Sequence, residues 1–307
     1  MTMNKYFFIK FKSIWFVFSS ILIILGLVSM VHNTITKGQA FNLGIDFTGG
    51  TNILIAVDET EQFAQKHQAI PDEIRLKNSE AITNVIKAEG VKHVQLTIVD
   101  KHYYSVNTSV MDHDKVDAMV VDLKAKVAGL NVVEVGFIGP TMGAQLQQQA
   151  FTISLVALFL LLIYITFRFE FWAAVAAILA LVHDALITLG LTSILNIPVD
   201  SAYVAAILTI LGYSINDTIV IFDRIRENAK TMTEGFEIIA ETSIWQTLAR
   251  SVYTVCTVLI VLGSIHIFGG TSLKDFSLVL LIGVSFGCYS SIFIASPLLV
   301  MFKKWSE

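Results

Sequence analysis

The side chains best able to do chemistry in this chain are ionisable groups set inside apolar runs. Asp217 lies within Leu211-Gly212-Tyr213-Ser214-Ile215-Asn216-Asp217-Thr218-Ile219-Val220-Ile221-Phe222. An acid at membrane depth costs about 3 kcal/mol or more, so reversible proton or ion transfer is the first chemistry to consider. The polar run Asp223-Arg224-Ile225-Arg226-Glu227-Asn228 follows, which puts Asp217 about 9 Å inside the membrane edge at the helical rise. Ser214, Thr218 and Ile221 share its helical face, so hydroxyls flank the carboxylate. A structural acid bridging two helices is the competing reading.

Two further groups join it. With an apolar run starting near Ile244 and Trp245 at the interface, Arg250 also falls about 9 Å deep and could pair with Asp217 between helices. Alternatively, Arg250 marks the edge of its span and snorkels to lipid phosphate. His183 and Asp184 lie about 20 Å from Phe171, near mid-bilayer, with Thr188 on the Asp184 face. They could extend a proton path outward from Asp217 or form a structural network between helices. No nucleotide-binding loop, catalytic carboxylate pair or metal-ligand spacing is present, and nothing offers a nucleophile with a general base, so an enzyme is not expected. No cofactor or metal is implied.

The elements that position these groups are membrane spans. Of the 307 residues, 54% are hydrophobic and 15% charged, against about 25% charged in soluble domains. Apolar runs predict six spans: Ser13 to Val31, Gln148 to Phe167, Phe171 to Leu195, Ser201 to Phe222, Ile244 to Ile267 and Phe276 to Phe302. The first is long for a signal peptide and lacks a small-residue cleavage site, so it is expected to stay uncleaved. Cys256 and Cys288 sit in apolar runs and read as small hydrophobes. Residues 223–243 are expected to form an inner loop, in which Phe236, Ile239 and Ala240 suggest an amphipathic interfacial helix.

Basic residues set the orientation. A cytoplasmic N-terminus places Lys5, Lys10, Lys12, Arg168, Arg224, Arg226, Lys230, Lys303 and Lys304 on one side, whereas the alternate short loops carry only Lys274. Both termini are therefore expected inside and the segment 32–147 outside. That segment predicts an α+β domain, with strands at Thr51 to Val57, Val94 to Val99, Tyr103 to Val106 and Val132 to Val135. Helices are predicted at Ser79 to Glu89 and Asp114 to Val127, in a strand-helix-strand-strand-helix-strand order that suits a split βαβ, ferredoxin-like sheet. The expected division is 1–31 for the N-terminus and first span, 32–147 for the outer domain, and 148–307 for a five-helix bundle. Gly44-Ile45-Asp46-Phe47-Thr48-Gly49-Gly50 reads as a tight turn with Asp46 as its cap, and Ile138-Gly139-Pro140-Thr141-Met142-Gly143 as a turn into the second span. No basic patch suits nucleic acid.

Taken together, Gly44 to Gly50, Gly139-Pro140, His183-Asp184, Gly212 to Thr218 running into Asp223 to Asn228, and Gln246-Thr247-Leu248-Ala249-Arg250-Ser251 resemble the SecF family. Its members are membrane subunits that work with SecD beside the bacterial protein-export channel, and their membrane part resembles half of a resistance-nodulation-division transporter. The resemblance implies a proton-relay acid at Asp217, a charged partner at Arg250, and Asp184 and His183 along the relay, with Ser214, Asn216 and Thr218 as supporting polar groups. It implies that the turn carrying Gly44, Asp46, Thr48, Gly49 and Gly50 couples the outer domain to the membrane. It also implies a bacterial inner-membrane location, with SecD as a separate chain, the SecYEG channel, unfolded exported polypeptide and the lipid bilayer as partners. The alternatives are a proton-coupled exporter of small molecules or lipids and a translocon scaffold that moves no protons.

Overall fold

The computed structural model describes residues 7–57, 71–88, 94–99, 103–109, 112–269 and 271–306. The expectations involving Lys5 and Glu89 lie outside them. Two compact units result, one built from residues 1–42 and 152–307, the other from residues 43–151.

Six helices of the described chain are long and apolar enough to cross a membrane. We number them in chain order as spans: Lys12–Lys37, Pro140–Arg168, Phe171–Leu195, Ser201–Asn228, Phe236–Phe268, and a sixth running from Leu273 to Lys304. The third, fourth and sixth form the buried centre, whereas most of the first, second and fifth is exposed. Alanine makes the centre tight: Ala174, Ala176, Ala177 and Ala180 of the third span are all buried, and small residues let helix backbones approach in lipid.

The sequence placed the end of the fourth span too early and the start of the fifth too late. The polar run after Phe222 stays helical to Asn228, because its charges pair along the helix: Arg224 with Glu227, and Arg226 with Asp223 at 3.5 Å. Asn228 then donates to Ser243 Oγ and Gln246 Oε1, both at 2.8 Å, fastening this helix end to the next span. The fifth span starts at Phe236, so the connection shrinks to 229–235. Ile239 and Ala240 are buried in the bundle core instead of lying in an interfacial helix. At the second span, Pro140 occupies the first helical turn, where its missing N–H costs nothing, so the expected turn at 138–143 is largely helix.

A short helix, Phe7–Lys10, precedes the first span. Its Phe8 and Ile9 amides donate to the carboxylate of Glu241 at 3.0 Å, and Trp245 Nε1 donates to the same group at 3.2 Å. Glu241 is 2% exposed, a buried acid that satisfies a helix N-terminus.

The first span docks on the third through backbone contact. A Cβ added to Gly190 would lie 2.8 Å from Gly26 Cα. Asn33 secures the same pair of helices by donating to Ser193 O and Ser193 Oγ at 3.1 and 3.0 Å.

In the second unit, four strands form one antiparallel sheet: β1 (Gly50–Val57), β2 (Val94–Val99), β3 (Tyr103–Thr108) and β4 (Leu130–Ile138), in spatial order β2-β3-β1-β4. Helices Asp72–Ala88 and His113–Lys126 follow β1 and β3, giving the β-α-β-β-α-β order. Alternation along β1 and β3 sends Ile53, Ile55, Val57, Tyr104 and Val106 into one core with Ile82, Ile86, Met119 and Leu123 of the helices. The first helix begins seven residues ahead of the expected Ser79, with Asp72.

Gly44 to Gly50 is one helical turn, Ile45–Thr48, closed by Gly49 in a positive-φ conformation of 67°. Its N-cap is Gly44, not Asp46, while Thr48 Oγ1 donates to Gly44 O at 3.2 Å. Gly50 has φ 122°, and a Cβ there would collide with Thr108 O. Gly143 packs so closely that an added Cβ would lie 3.0 Å from Gly49 N, which seats this turn on the start of the second span's helix.

Replacing Gly190 with Leu is expected to destabilise the protein by about 1–3 kcal/mol through overpacking against Gly26. Gly212→Ala, where an added Cβ meets nothing within 4 Å, serves as the control. Thermal unfolding in detergent checks this, and equal midpoints for the two variants would contradict the close approach.

Candidate ion-relay site

Asp217 is 6% exposed on the fourth span. Cys288 of the sixth span lines the same small cleft as this carboxylate, and Arg250 lies on the fifth span. Among the described residues Arg250 makes no ion pair, so it does not touch Asp217 directly. A cleft of about 30 Å³ lies between the three helices, lined by Tyr213, Asn216, Asp217, Thr254, Val255, Val284 and Cys288. It has room for a water molecule. Thr254, one turn beyond Arg250, donates to the Arg250 carbonyl at 2.9 Å, so the cleft and the guanidinium share a stretch of the fifth span.

Asp184 occupies a different setting. Its side chain is fully buried, and its carboxylate accepts from Ser214 at 2.5 Å, Ser290 at 2.7 Å and His183 Nδ1 at 2.9 Å. One acid thus ties the third, fourth and sixth spans together. His183 reaches its neighbour despite the helical divergence of adjacent residues. Its Nε2 is buried without a hydrogen-bond partner among the described residues, and its ring stacks on Tyr289 at 6.2 Å. Thr188 does not join the carboxylate; its hydroxyl donates to the Asp184 backbone carbonyl at 2.8 Å.

Ser214 and Thr218 also fasten the fourth span to the sixth. Thr218 Oγ1 and Ser291 Oγ lie 2.8 Å apart, and Ser291 also donates to Ser214 O at 3.2 Å. The helices come this close because Gly287 faces Ser214, where a Cβ would lie 3.0 Å from the serine Cβ. Cys288 and Ser290 are two positions apart, roughly 200° around a helix, so the two acids meet different faces of the sixth span. Beyond them, Ser291–Ala295 forms a π-helical segment, a geometry common beside functional sites. Asn216 is exposed and lines the cleft without joining this network.

Sequence reasoning missed Cys288, Ser290, Ser291 and Glu241. For the first three the available signal was Gly283, Gly287, Ser290 and Ser291, small residues at helical spacing in the last span. Glu241 was hidden because its segment read as a loop. Among the described residues, no group of three or more His, Cys, Asp or Glu could hold a metal ion.

With this geometry in place, the relatives of the chain decide its family. Residues 119–305 match the family described as protein export membrane protein SecD/SecF, C-terminal, and residues 38–61 match the SecD/SecF GG motif. This chain belongs to the SecF family. It is 36% identical over 305 residues to the protein translocase subunit SecF of Sebaldella termitidis, covering 97% of this chain and 92% of that one. The corresponding SecF of Acidaminococcus fermentans is 37% identical, with 98% and 99% covered. Among solved structures, the crystal structure of SecDF from Thermus thermophilus, described as a translocon-associated membrane protein, matches at TM-score 0.79 and 30% identity. The match covers 96% of this chain and 38% of that one, so the SecF-family chain corresponds to a little over a third of the SecDF polypeptide. The GG motif falls on the Gly49-Gly50 turn, and the longer match contains Asp184, Asp217 and Arg250.

Asp184→Leu is expected to leave the Ser214 and Ser290 hydroxyls and His183 without their acceptor, at about 1–3 kcal/mol for each buried group. Asp184→Asn keeps an acceptor oxygen and should cost clearly less. Unfolding midpoints of the two purified variants check this, and equal losses would show that the carboxylate does not fasten the helices.

Proposed function

We propose that this chain acts as the SecF part of a SecD-SecF pair, and that the pair uses a proton gradient to assist late export of unfolded polypeptide through the SecYEG channel. The observation that carries this reading is Asp217, buried on the fourth span beside a water-sized cleft that the fifth span also lines, in a chain of the SecF family. Protonation of Asp217 removes its attraction for Arg250, which lets the fifth span shift against the fixed centre. One charge crossing 100 mV provides about 2.3 kcal/mol, enough to bias a two-state element by nearly fiftyfold.

His183 and Asp184 are the second titratable pair on this route. They sit at the junction of three spans, and the buried Nε2 of His183 has no hydrogen-bond partner among the described residues. Ser214 holds Asp184, Thr218 binds Ser291 of the sixth span, and Asn216 lines the cleft. No step of this function calls for an enzyme active site, and the role is that of an accessory transport subunit.

The β-α-β-β-α-β unit is the ferredoxin-like domain of this reading, placed on the extracytoplasmic side of the bacterial inner membrane with both termini in the cytoplasm. The basic-residue bias supports that placement. The working division is 1–31, 32–147 and 148–307. The Gly44 to Gly50 turn would pass motion on to the outer domain, a role suited to a turn packed against Gly143 at the start of the second span's helix.

Asp217→Asn is expected to abolish the gradient-dependent part of export while leaving the complex with SecD intact, and Asp217→Glu to restore part of it. Export into inverted vesicles with and without an uncoupler, alongside co-purification of SecD, measures both. Unchanged gradient dependence in Asp217→Asn would reject the drive and leave a scaffold.

A further inference from the structure

At one end of the bundle, four spans and the connections between them line a cavity of about 360 Å³ that the relay does not use. Its wall is apolar and aromatic, with Trp172 at the start of the third span, Phe222 on the fourth, Phe236 at the start of the fifth and Leu299 on the sixth. Three cations line it: Arg226, Lys230 and Lys303. The one acid among its lining residues, Glu170, is exposed, so positive charge dominates the cavity.

Of the three, Arg226 also pairs with Asp223, outside the lining, at 3.5 Å. Lys303 Nζ lies 4.9 Å from the centre of the Phe236 ring, which holds the lysine stem against the aromatic wall. Lys230 is exposed and makes no ion pair or hydrogen bond with a described side chain. The third and fifth spans also begin here, and their N-caps, Glu170 and Gly235, supply no side-chain hydrogen bond. The first amides of both helices add to the field favouring negative charge. Trp172 and the neighbouring Phe167 and Phe171, 87% and 71% exposed, are the aromatic residues expected at the headgroup level of a bilayer.

A hydrophobic wall beneath a basic rim at headgroup depth has the chemistry of an anionic amphiphile site. We propose that this cavity binds an anionic phospholipid of the surrounding bilayer. Its phosphate sits among Arg226, Lys230 and Lys303, and an acyl chain lies along Trp172, Phe222 and Leu299. Because the site is formed by the ends of the fourth and fifth spans, lipid binding would favour the helix arrangement in which those ends are together.

The test is native mass spectrometry of the full chain released from mixed phosphatidylglycerol and phosphatidylcholine micelles, with the unfolding midpoint measured for each lipid. Phosphatidylglycerol should be retained at least tenfold over phosphatidylcholine and should raise the midpoint more. Lys230→Gln should weaken phosphatidylglycerol binding about fivefold, and Lys230→Gln with Lys303→Gln about twenty-five-fold. Lys230 is exposed, so the single variant keeps the test valid if the double variant folds poorly. Equal retention of the two lipids, or undiminished binding by Lys230→Gln, would overturn the proposal. So would displacement of the lipid by millimolar inorganic phosphate, because that would identify a site for free phosphate instead.

Discussion

A carboxylate inside a membrane must find its hydrogen-bond donors within the protein, and in this chain that requirement organises the bundle. Asp184 draws Ser214 from the fourth span, Ser290 from the sixth and His183 from its own. Satisfying one acid therefore sets the separation and rotation of three helices. The glycines follow from it: Gly287 must be small for Ser214 to reach the acid, and Gly283 likewise packs onto Ile210 one turn away. Alanines on the third span extend the same close packing through the centre.

Asp217 lies at the margin of that centre, and its surroundings are different in kind. It lines a cleft large enough for water, beside the Cys288 thiol and the fifth span, little of which is buried. A densely satisfied acid holds its helices still, whereas a sparsely satisfied one can change protonation without dismantling the core. The division of labour we propose follows from this contrast. Asp184 maintains the frame, and Asp217 responds within it.

Much of this was legible in the sequence where a residue is costly in its context. An acid in an apolar run announces itself, so Asp184, His183 and Asp217 were found from hydropathy alone, and depth along a helix nominated Arg250. The strands of the second unit were legible from their short β-branched runs. Helix ends were not, because the charges of Asp223 to Asn228 read as a loop until their mutual pairing and the grip of Asn228 on the next span are seen. Cys288, Ser290 and Ser291 were silent for the opposite reason. Small, weakly polar side chains raise no alarm in a span, and only the packing reveals what they touch. The Gly44 to Gly50 turn gave its glycines away but misassigned the cap, since Gly44 and not Asp46 opens the helical turn.

The central claim is that Asp217 gains and loses a proton and that the fifth span responds. Infrared difference spectroscopy on the reconstituted chain with SecD, stepped from neutral to acidic pH, reads both events at once. The account predicts a protonated-carboxyl band that appears on acidification together with a change in the helix amide bands, both absent from Asp217→Asn. A protonated-carboxyl band and helix response that persist unchanged in Asp217→Asn would contradict it.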